Sequence, residues 1–172
     1  MSHAVIAFVG RSGCGKTTLI ERLIPRLTEK GVRVAIVKHS PIHALETDTP
    51  GSDTHRFWAA GARHVGLVAR DRVVHTHRFA EEPALQVALS GVHDVDLILL
   101  EGYKRSAAPK VEVIRRARDP LPIEGVEGRV AVVTDVDELA LDCPRFRLDD
   151  LEGLTGFLVA ALDRGGDGGT LG

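Results

Sequence analysis

Residues 10–17 constrain this chain more than any other stretch. They read Gly-Arg-Ser-Gly-Cys-Gly-Lys-Thr, the pattern G-x-x-x-x-G-K-T. The glycines let the backbone curl so that successive N–H groups point at an anion. The lysine supplies a positive charge for the terminal phosphates of a nucleotide, and the threonine hydroxyl is a ligand for Mg²⁺. The spacing therefore predicts a phosphate-binding loop.

A strand enters this loop and a helix leaves it. Residues 4–9 form a short apolar run, which is typical of a buried strand. From Thr18 to Lys30, leucines recur at helical spacing, and Gly31 is placed to end the helix. Strand, loop and helix in this order predict a P-loop NTPase fold. The predicted phosphate contacts are Gly10, Ser12, Gly13, Cys14, Gly15, Lys16, Thr17 and Thr18.

Strands and helices alternate along the rest of the chain. Strands are predicted at residues 32–37, 64–69, 72–77, 95–100, 111–115 and 129–133, and helices at 53–60, 82–89 and 148–162. A strand that follows the first helix after one glycine predicts a right-handed βαβ unit with parallel strands. The pattern favours an α/β fold whose mostly parallel sheet is flanked by helices and carries an antiparallel hairpin or edge. We expect one domain over residues 1–163 and a flexible tail over 164–172.

The apolar strand that ends at Glu101 resembles a Walker B strand, which delivers an acid beside the phosphate loop. Two acids compete for that position, Asp96 at the start of the run and Glu101 at its end. In a parallel sheet only Glu101 emerges at the edge that carries the phosphate loop. We therefore favour Glu101 as the Mg²⁺ ligand. Gly102 after it allows a phosphate to approach the backbone.

Five further residues follow strand ends or lie in a long polar loop. Lys38 and His39 are interpreted either as anion contacts or as solvated strand-end residues. Asp48 and Asp53 lie where a switch loop would contact Mg²⁺ and the γ-phosphate. A structural role in a turn or as a helix cap explains these two residues equally well. Asp135 ends a late strand, where a carboxylate accepts from the N1–H and N2–H₂ groups of guanine. No Asn-Lys-x-Asp signature accompanies it.

Composition narrows the possible partners and the compartment. The 172 residues carry a net charge of −2, so no basic field favours nucleic acid or a membrane surface. No run approaches 18 uninterrupted apolar residues, and we expect no signal peptide before the first strand. The two cysteines are far apart, which argues against a disulfide scaffold. We expect a cytoplasmic protein.

Through the residues described above, the chain resembles the MobB family, the molybdopterin-guanine dinucleotide biosynthesis adapter proteins. The resemblance covers residues from Ala4 to about Asp135. The phosphate loop is shared with many families, whereas the Lys-His, Asp-x-Pro-Gly-x-Asp and Glu-Gly-aromatic-Lys elements are more particular. The segments that carry the resemblance are Gly10 to Thr18, Leu23-Ile24-Pro25, Val37-Lys38-His39, Asp48-Thr49-Pro50-Gly51-Ser52-Asp53-Thr54, Ala60-Gly61-Ala62 and Leu97-Ile98-Leu99-Leu100-Glu101-Gly102-Tyr103-Lys104.

The resemblance implies a GTP-binding homodimer with weak GTPase activity that assists the molybdenum cofactor guanylyltransferase, the enzyme that joins GMP to molybdopterin. It implies that Thr17 and Glu101 hold Mg²⁺. It also implies that Lys16, Asp48 and Asp53 act on the γ-phosphate, two of them from a switch loop. Lys38, His39 and Lys104 would line the nucleotide groove or bind molybdopterin. One departure is Ser52, where many relatives carry lysine.

The sequence is also compatible with two other functional classes of protein. A small-molecule kinase shares the phosphate loop, and the arginine-rich residues 115–118 then form part of a lid rather than a solvated face. A GTP-dependent metallochaperone needs a Cys/His cluster, which two isolated cysteines do not provide. No arginine or glutamine is placed by the sequence to assist water attack, so we expect slow hydrolysis.

Overall fold

The computed structural model describes residues 3–41 and 45–165, and it follows the predicted order of elements. Pro41–Val87 form one compact unit, and the chain on either side of them forms the other. The elements are β1 (Ala4–Gly10), α1 (Lys16–Glu29), β2 (Val34–Lys38), α2 (Asp53–Ala59), β3 (His64–Val68), β4 (Val73–His77), α3 (Leu85–Leu89), β5 (Leu97–Glu101), β6 (Lys110–Ile114), β7 (Arg129–Thr134), β8 (Arg145–Phe146) and α4 (Leu151–Gly165).

A six-stranded sheet organises the larger unit. Its order is β2-β5-β1-β6-β7-β8, and every described pairing in it is parallel. The first two strands are therefore parallel, as predicted, but β5 lies between them. Ala4 and Val34 are both in register with Leu97, so the carboxyl ends of these three strands meet at one edge. The two-residue strand β8 was not predicted, because so short a segment has no readable period.

Two helices bury one face of this sheet. Apolar side chains alternate along the central strands, and α1 adds Leu19, Ile20, Leu23 and Leu27 while α4 adds Leu151, Leu154, Leu158 and Ala161. This is the three-to-four spacing that places apolar residues on one helix face. The core holds β1 rigidly, so the loop that follows it starts from a fixed point. No described helix has the length and apolar content needed to cross a bilayer.

The smaller unit contains α2 and the predicted hairpin. Ser52 begins α2, and its hydroxyl accepts a hydrogen bond from His55 N at 3.2 Å, so Ser52 rather than Asp53 is the N-cap. The strands β3 and β4 pair antiparallel as a sheet of their own. Four apolar side chains of this hairpin are exposed in the structure: Leu67, Val68, Val73 and Val74.

The predicted tail begins inside α4, which extends to Gly165. Residues 166–172, which make up the rest of that predicted tail, lie outside the described residues.

Candidate functional site

The segment predicted to bind phosphate forms a tight loop between β1 and α1. Gly13 and Gly15 have φ angles of +71° and +93°, a left-handed conformation that glycine adopts without strain. Gly10 is required for space, because a Cβ atom there would lie 2.6 Å from the carbonyl oxygen of Val113. The Lys16 ammonium bends back along the loop, and its Nζ donates to the carbonyl oxygen of Gly10 at 3.1 Å. The loop therefore concentrates a cation and the first N–H groups of α1 at the carboxyl edge of the sheet.

Glu101 lies beside this loop in an almost buried position. The Thr17 hydroxyl donates to Glu101 Oε1 at 2.8 Å. Lys38 Nζ lies 3.1 Å from the same oxygen, since Lys38 and Glu101 are in register on neighbouring strands. Hydroxyl and carboxylate oxygens are ligands that Mg²⁺ prefers, so the pair formed by Thr17 and Glu101 could hold this ion against bound phosphates.

Asp96 lies at the other end of the same strand, outside this cluster. Its carboxylate forms a two-pronged contact with the Arg33 guanidinium at 2.7 and 3.0 Å. The hydrogen bonds from Arg33 lower the pKa of Asp96 to about 2. Asp96 is thus an ion-pair residue at the amino edge of the sheet.

The residues after Glu101 turn sharply toward the loop. Gly102 has a φ of +95°, and its N–H donates to the carbonyl oxygen of Phe8 at 3.0 Å. His39 N donates to the carbonyl oxygen of Glu101 at 3.0 Å, and the His39 ring lies 5.4 Å from the Tyr103 ring. Lys104 follows on the exposed side of this turn. The structure therefore places His39 and Gly102 beside Glu101, whereas the described contacts do not place the exposed side chain of Lys104 there.

Asp135 follows β7 at the same sheet edge, two strands away from β1. Its Oδ1 atom accepts a hydrogen bond from Arg116 N at 2.7 Å, and its Oδ2 atom lies 3.8 Å from Arg115 Nε. The carboxylate that was predicted to read guanine thus anchors the loop after β6, and its role in base recognition stays a prediction.

The loop after β6 reaches the phosphate loop, which the sequence did not indicate. Arg11 Nε lies 2.6 Å from Asp119 Oδ2, and the Arg118 guanidinium contacts Gly13. The motif R-R-x-R-D is visible in the sequence, but its position next to the phosphate loop depends on the pairing of β6 with β1. This contact could be predicted only by knowing the strand order, in which β6 lies beside β1.

Asp48 and Asp53 belong to the smaller unit rather than to the unit that carries the phosphate loop. A hydrogen bond from the Thr54 side chain and one from Thr49 N lower the pKa of Asp48. Asp53 lies in the first turn of α2, where a negative charge is favourable, and its carboxylate is 3.4 Å from Arg56. Both residues have local structural partners, and their roles in a switch stay predictions.

No described group of three or more His, Cys, Asp or Glu side chains is placed to hold a metal ion by itself. Cys14 and Cys143 are both free thiols. A site completed by nucleotide phosphates needs fewer protein ligands, so the pair formed by Thr17 and Glu101 is compatible with this finding.

Comparison with known proteins identifies relatives that share both the sequence pattern and the fold. The MobB family, described as "Molybdopterin guanine dinucleotide synthesis protein B", matches residues 5–135. The chain is 34% identical over 166 residues to the molybdopterin-guanine dinucleotide biosynthesis adapter protein of Escherichia coli, covering 93% of this chain and 94% of that protein. The corresponding protein of Haemophilus influenzae is 35% identical over 149 residues, or 82% of each chain. The solved structure of a MobB homolog from Bacillus stearothermophilus superposes with a TM-score of 0.71 at 26% identity, covering 93% and 98% of the two chains.

Proposed function

Because this chain belongs to the MobB family, we propose that it is a GTP-binding adapter in molybdopterin-guanine dinucleotide biosynthesis. In this role it assists the guanylyltransferase that attaches GMP to molybdopterin, and it hydrolyses GTP only slowly. The observation that carries the proposal is the hydrogen bond of 2.8 Å between Thr17 and Glu101 at the end of the phosphate loop. That contact unites the two groups that a P-loop protein uses to hold Mg²⁺.

The loop and Glu101 supply the charge that a triphosphate needs. Backbone N–H groups of the loop bind the β-phosphate, and Lys16 reaches the β- and γ-phosphates once its ammonium leaves the Gly10 carbonyl. Thr17 and Glu101 would hold Mg²⁺, which would neutralise negative charge on these phosphates. Lys38, already 3.1 Å from Glu101, balances the carboxylate and adds positive charge near the γ-phosphate.

Base recognition and switching use residues farther from the loop. Asp135 accepts from the guanine edge with its Oδ2 atom, since Oδ1 is already bonded to Arg116 N. His39, Gly102 and Lys104 line the side of the groove next to Glu101, where molybdopterin or the terminal phosphates bind. Asp48 and Asp53 belong to a switch loop that becomes ordered when the γ-phosphate is present, which is how a nucleotide-dependent adapter changes its affinity for a partner.

The exposed hairpin supports a homodimer. Two strands alone make a marginal sheet in water, and Val68 and Val73 of this hairpin are 76% and 56% exposed. A second copy that covers these side chains removes apolar surface from water and stabilises the hairpin. The free thiols of Cys14 and Cys143 are consistent with a reducing cytoplasm, where we place the protein.

Reconstitution tests the proposal directly. Purified guanylyltransferase, molybdopterin and limiting Mg²⁺–GTP are incubated with and without this protein, and the guanylated cofactor is quantified. We expect the protein to raise the initial rate and Lys16→Ala to remove that effect, because the variant lacks the cation that binds the terminal phosphates. Equal stimulation by Lys16→Ala would contradict the role of nucleotide binding in the adapter.

A further inference from the structure

Two arginine side chains lie against the phosphate loop. They belong to residues 115–119, a tight turn after β6 that we call the arginine turn. A Cβ atom on Gly13 would lie 3.1 Å from Nη2 of Arg118 and 3.2 Å from its Cζ and Nε atoms. A Cβ atom on Gly15 would lie 3.5 Å from Nη1 of Arg115. Both guanidinium groups therefore lie in the space beside the glycines of the loop that is proposed to bind phosphate.

The arginine turn is fixed in place from several sides. Arg115 and Asp119 face each other in an antiparallel bridge, and Asp119 N donates to the carbonyl oxygen of Arg115 at 3.0 Å. The Asp119 carboxylate is paired with Arg11 of the phosphate loop at 2.6 Å. The Asp135 carboxylate accepts from Arg116 N at 2.7 Å. Because the turn is already ordered, placing a ligand against it requires little loss of conformational entropy.

The side chains of these two arginines donate no hydrogen bond to any residue that the structure describes. Three atoms of the Arg118 guanidinium are almost equidistant from the Gly13 Cβ position, so its flat face covers the glycine and its N–H groups project sideways. Among the described residues, none accepts a hydrogen bond from the Arg118 side chain. Arg115 Nε is buried and bonds to none of the described residues, with Asp135 Oδ2 at 3.8 Å. A guanidinium with unused donors matches the geometry of a phosphate oxygen pair.

The strand order shows which part of a nucleotide these donors meet. Thr17 and Glu101, the residues that would hold Mg²⁺ beside the terminal phosphates, contact each other at 2.8 Å, and Glu101 belongs to β5. In the order β2-β5-β1-β6-β7-β8, the arginine turn follows β6 on the opposite side of β1. The α-phosphate and ribose must leave the loop on that side if the base is to reach the end of β7.

We propose that Arg118, supported by Arg115, binds the α-phosphate side of the nucleotide and so holds the part that GTP and GDP share. This inference rests on the proposed GTP-binding function. The two arginines are then affinity residues rather than groups that stabilise the transferring phosphoryl. They also keep the protein loaded with nucleotide after hydrolysis, when the γ-phosphate contacts are lost.

Calorimetric titration with Mg²⁺–GDP and with the non-hydrolysable analogue Mg²⁺–GMPPNP tests the assignment. The variants are Arg118→Ala and the control Arg116→Ala, which removes a neighbouring arginine whose guanidinium is 3.2 Å from Asp137. We expect Arg118→Ala to weaken both nucleotides by a similar factor of about tenfold or more, the effect of one charge-assisted hydrogen bond. Arg116→Ala should bind both nucleotides like the unsubstituted protein. The hydrolysis rate of Arg118→Ala at saturating GTP is measured as well, because it separates an affinity residue from one that acts on the γ-phosphate.

Several outcomes would overturn the inference while the proposed function stands. One is unchanged affinity of Arg118→Ala for both nucleotides, and another is a loss confined to GMPPNP. A fall of about a thousandfold in the saturated hydrolysis rate would instead identify an arginine that acts on the γ-phosphate. If Arg118→Ala melts at a lower temperature than the unsubstituted protein, the titrations are repeated with Arg118→Lys, which keeps the charge and the aliphatic part of the side chain. If the unsubstituted protein binds neither nucleotide, the proposed function itself is wrong.

Discussion

Glu112 is a fully buried carboxylate whose removal should destabilise the sheet by an amount that the structure defines. Its Oε2 atom accepts from Nε of Arg129 at 2.7 Å and lies 2.7 Å from Nη2 of the same guanidinium, and its Oε1 atom accepts from Ile123 N at 2.7 Å. Glu112→Ala leaves a guanidinium without its partner and one N–H without an acceptor. Removing one member of a buried ion pair costs about 3–5 kcal/mol, and we expect about 3 kcal/mol because Arg129 is 16% exposed and can turn toward water. For a chain of this size the melting temperature should fall by roughly 6–12 °C.

Thermal and urea unfolding of three variants check this value. Glu112→Leu combined with Arg129→Met removes both charges and should recover most of the lost stability, because apolar replacements for a buried pair are often neutral. Arg147→Ala is the control, since Arg147 and Asp149 form an exposed pair at 3.7 Å that is worth at most about 1 kcal/mol. A Glu112→Ala protein that unfolds like the unsubstituted one would refute the reasoning, and so would a double variant no more stable than Glu112→Ala alone.

Two further predictions concern the metal position and the hairpin. Glu101→Gln should reduce the Mg²⁺ affinity measured in the presence of GTP by about tenfold or more while nucleotide binding without Mg²⁺ stays unchanged, and an unaltered Mg²⁺ titration would exclude Glu101 as a ligand. Val73→Asp should convert a dimer to a monomer in sedimentation experiments because it places a charge on the apolar hairpin surface, whereas a dimer that persists in this variant would place the interface elsewhere.

The local pattern of the chain correctly predicted a tight glycine-rich loop between β1 and α1. The loop depends on glycine spacing, which is a property of consecutive residues, and the alternation of elements predicted the α/β class. The sequence also predicted which of the two acids, Asp96 or Glu101, lies beside this loop. Because parallel strands share one carboxyl edge, the last residue of β5 reaches the loop and the residue before its start does not.

Features that depend on strand order could not be predicted from the sequence. β5 inserts between β1 and β2, and β6 lies on the other side of β1. Sequence spacing does not encode this order, so Arg115 and Arg118 looked like solvated charges. The hairpin was predicted, but whether it joined the main sheet depends on long-range pairing that two short apolar runs leave undetermined. β8 has only two residues and lies below the length at which any period is visible.

The central claim, that the loop after β1 binds guanine nucleotide with Mg²⁺, is tested most directly by calorimetry. GTP, GDP and ATP are titrated into the unsubstituted protein and into Lys16→Ala, each with Mg²⁺. The account predicts saturable binding of GTP and GDP, much weaker binding of ATP, and loss of GTP binding by at least about tenfold in Lys16→Ala. Equal or tighter binding of ATP would leave Asp135 without its proposed role and favour a kinase, and undiminished GTP binding by Lys16→Ala would contradict the claim itself.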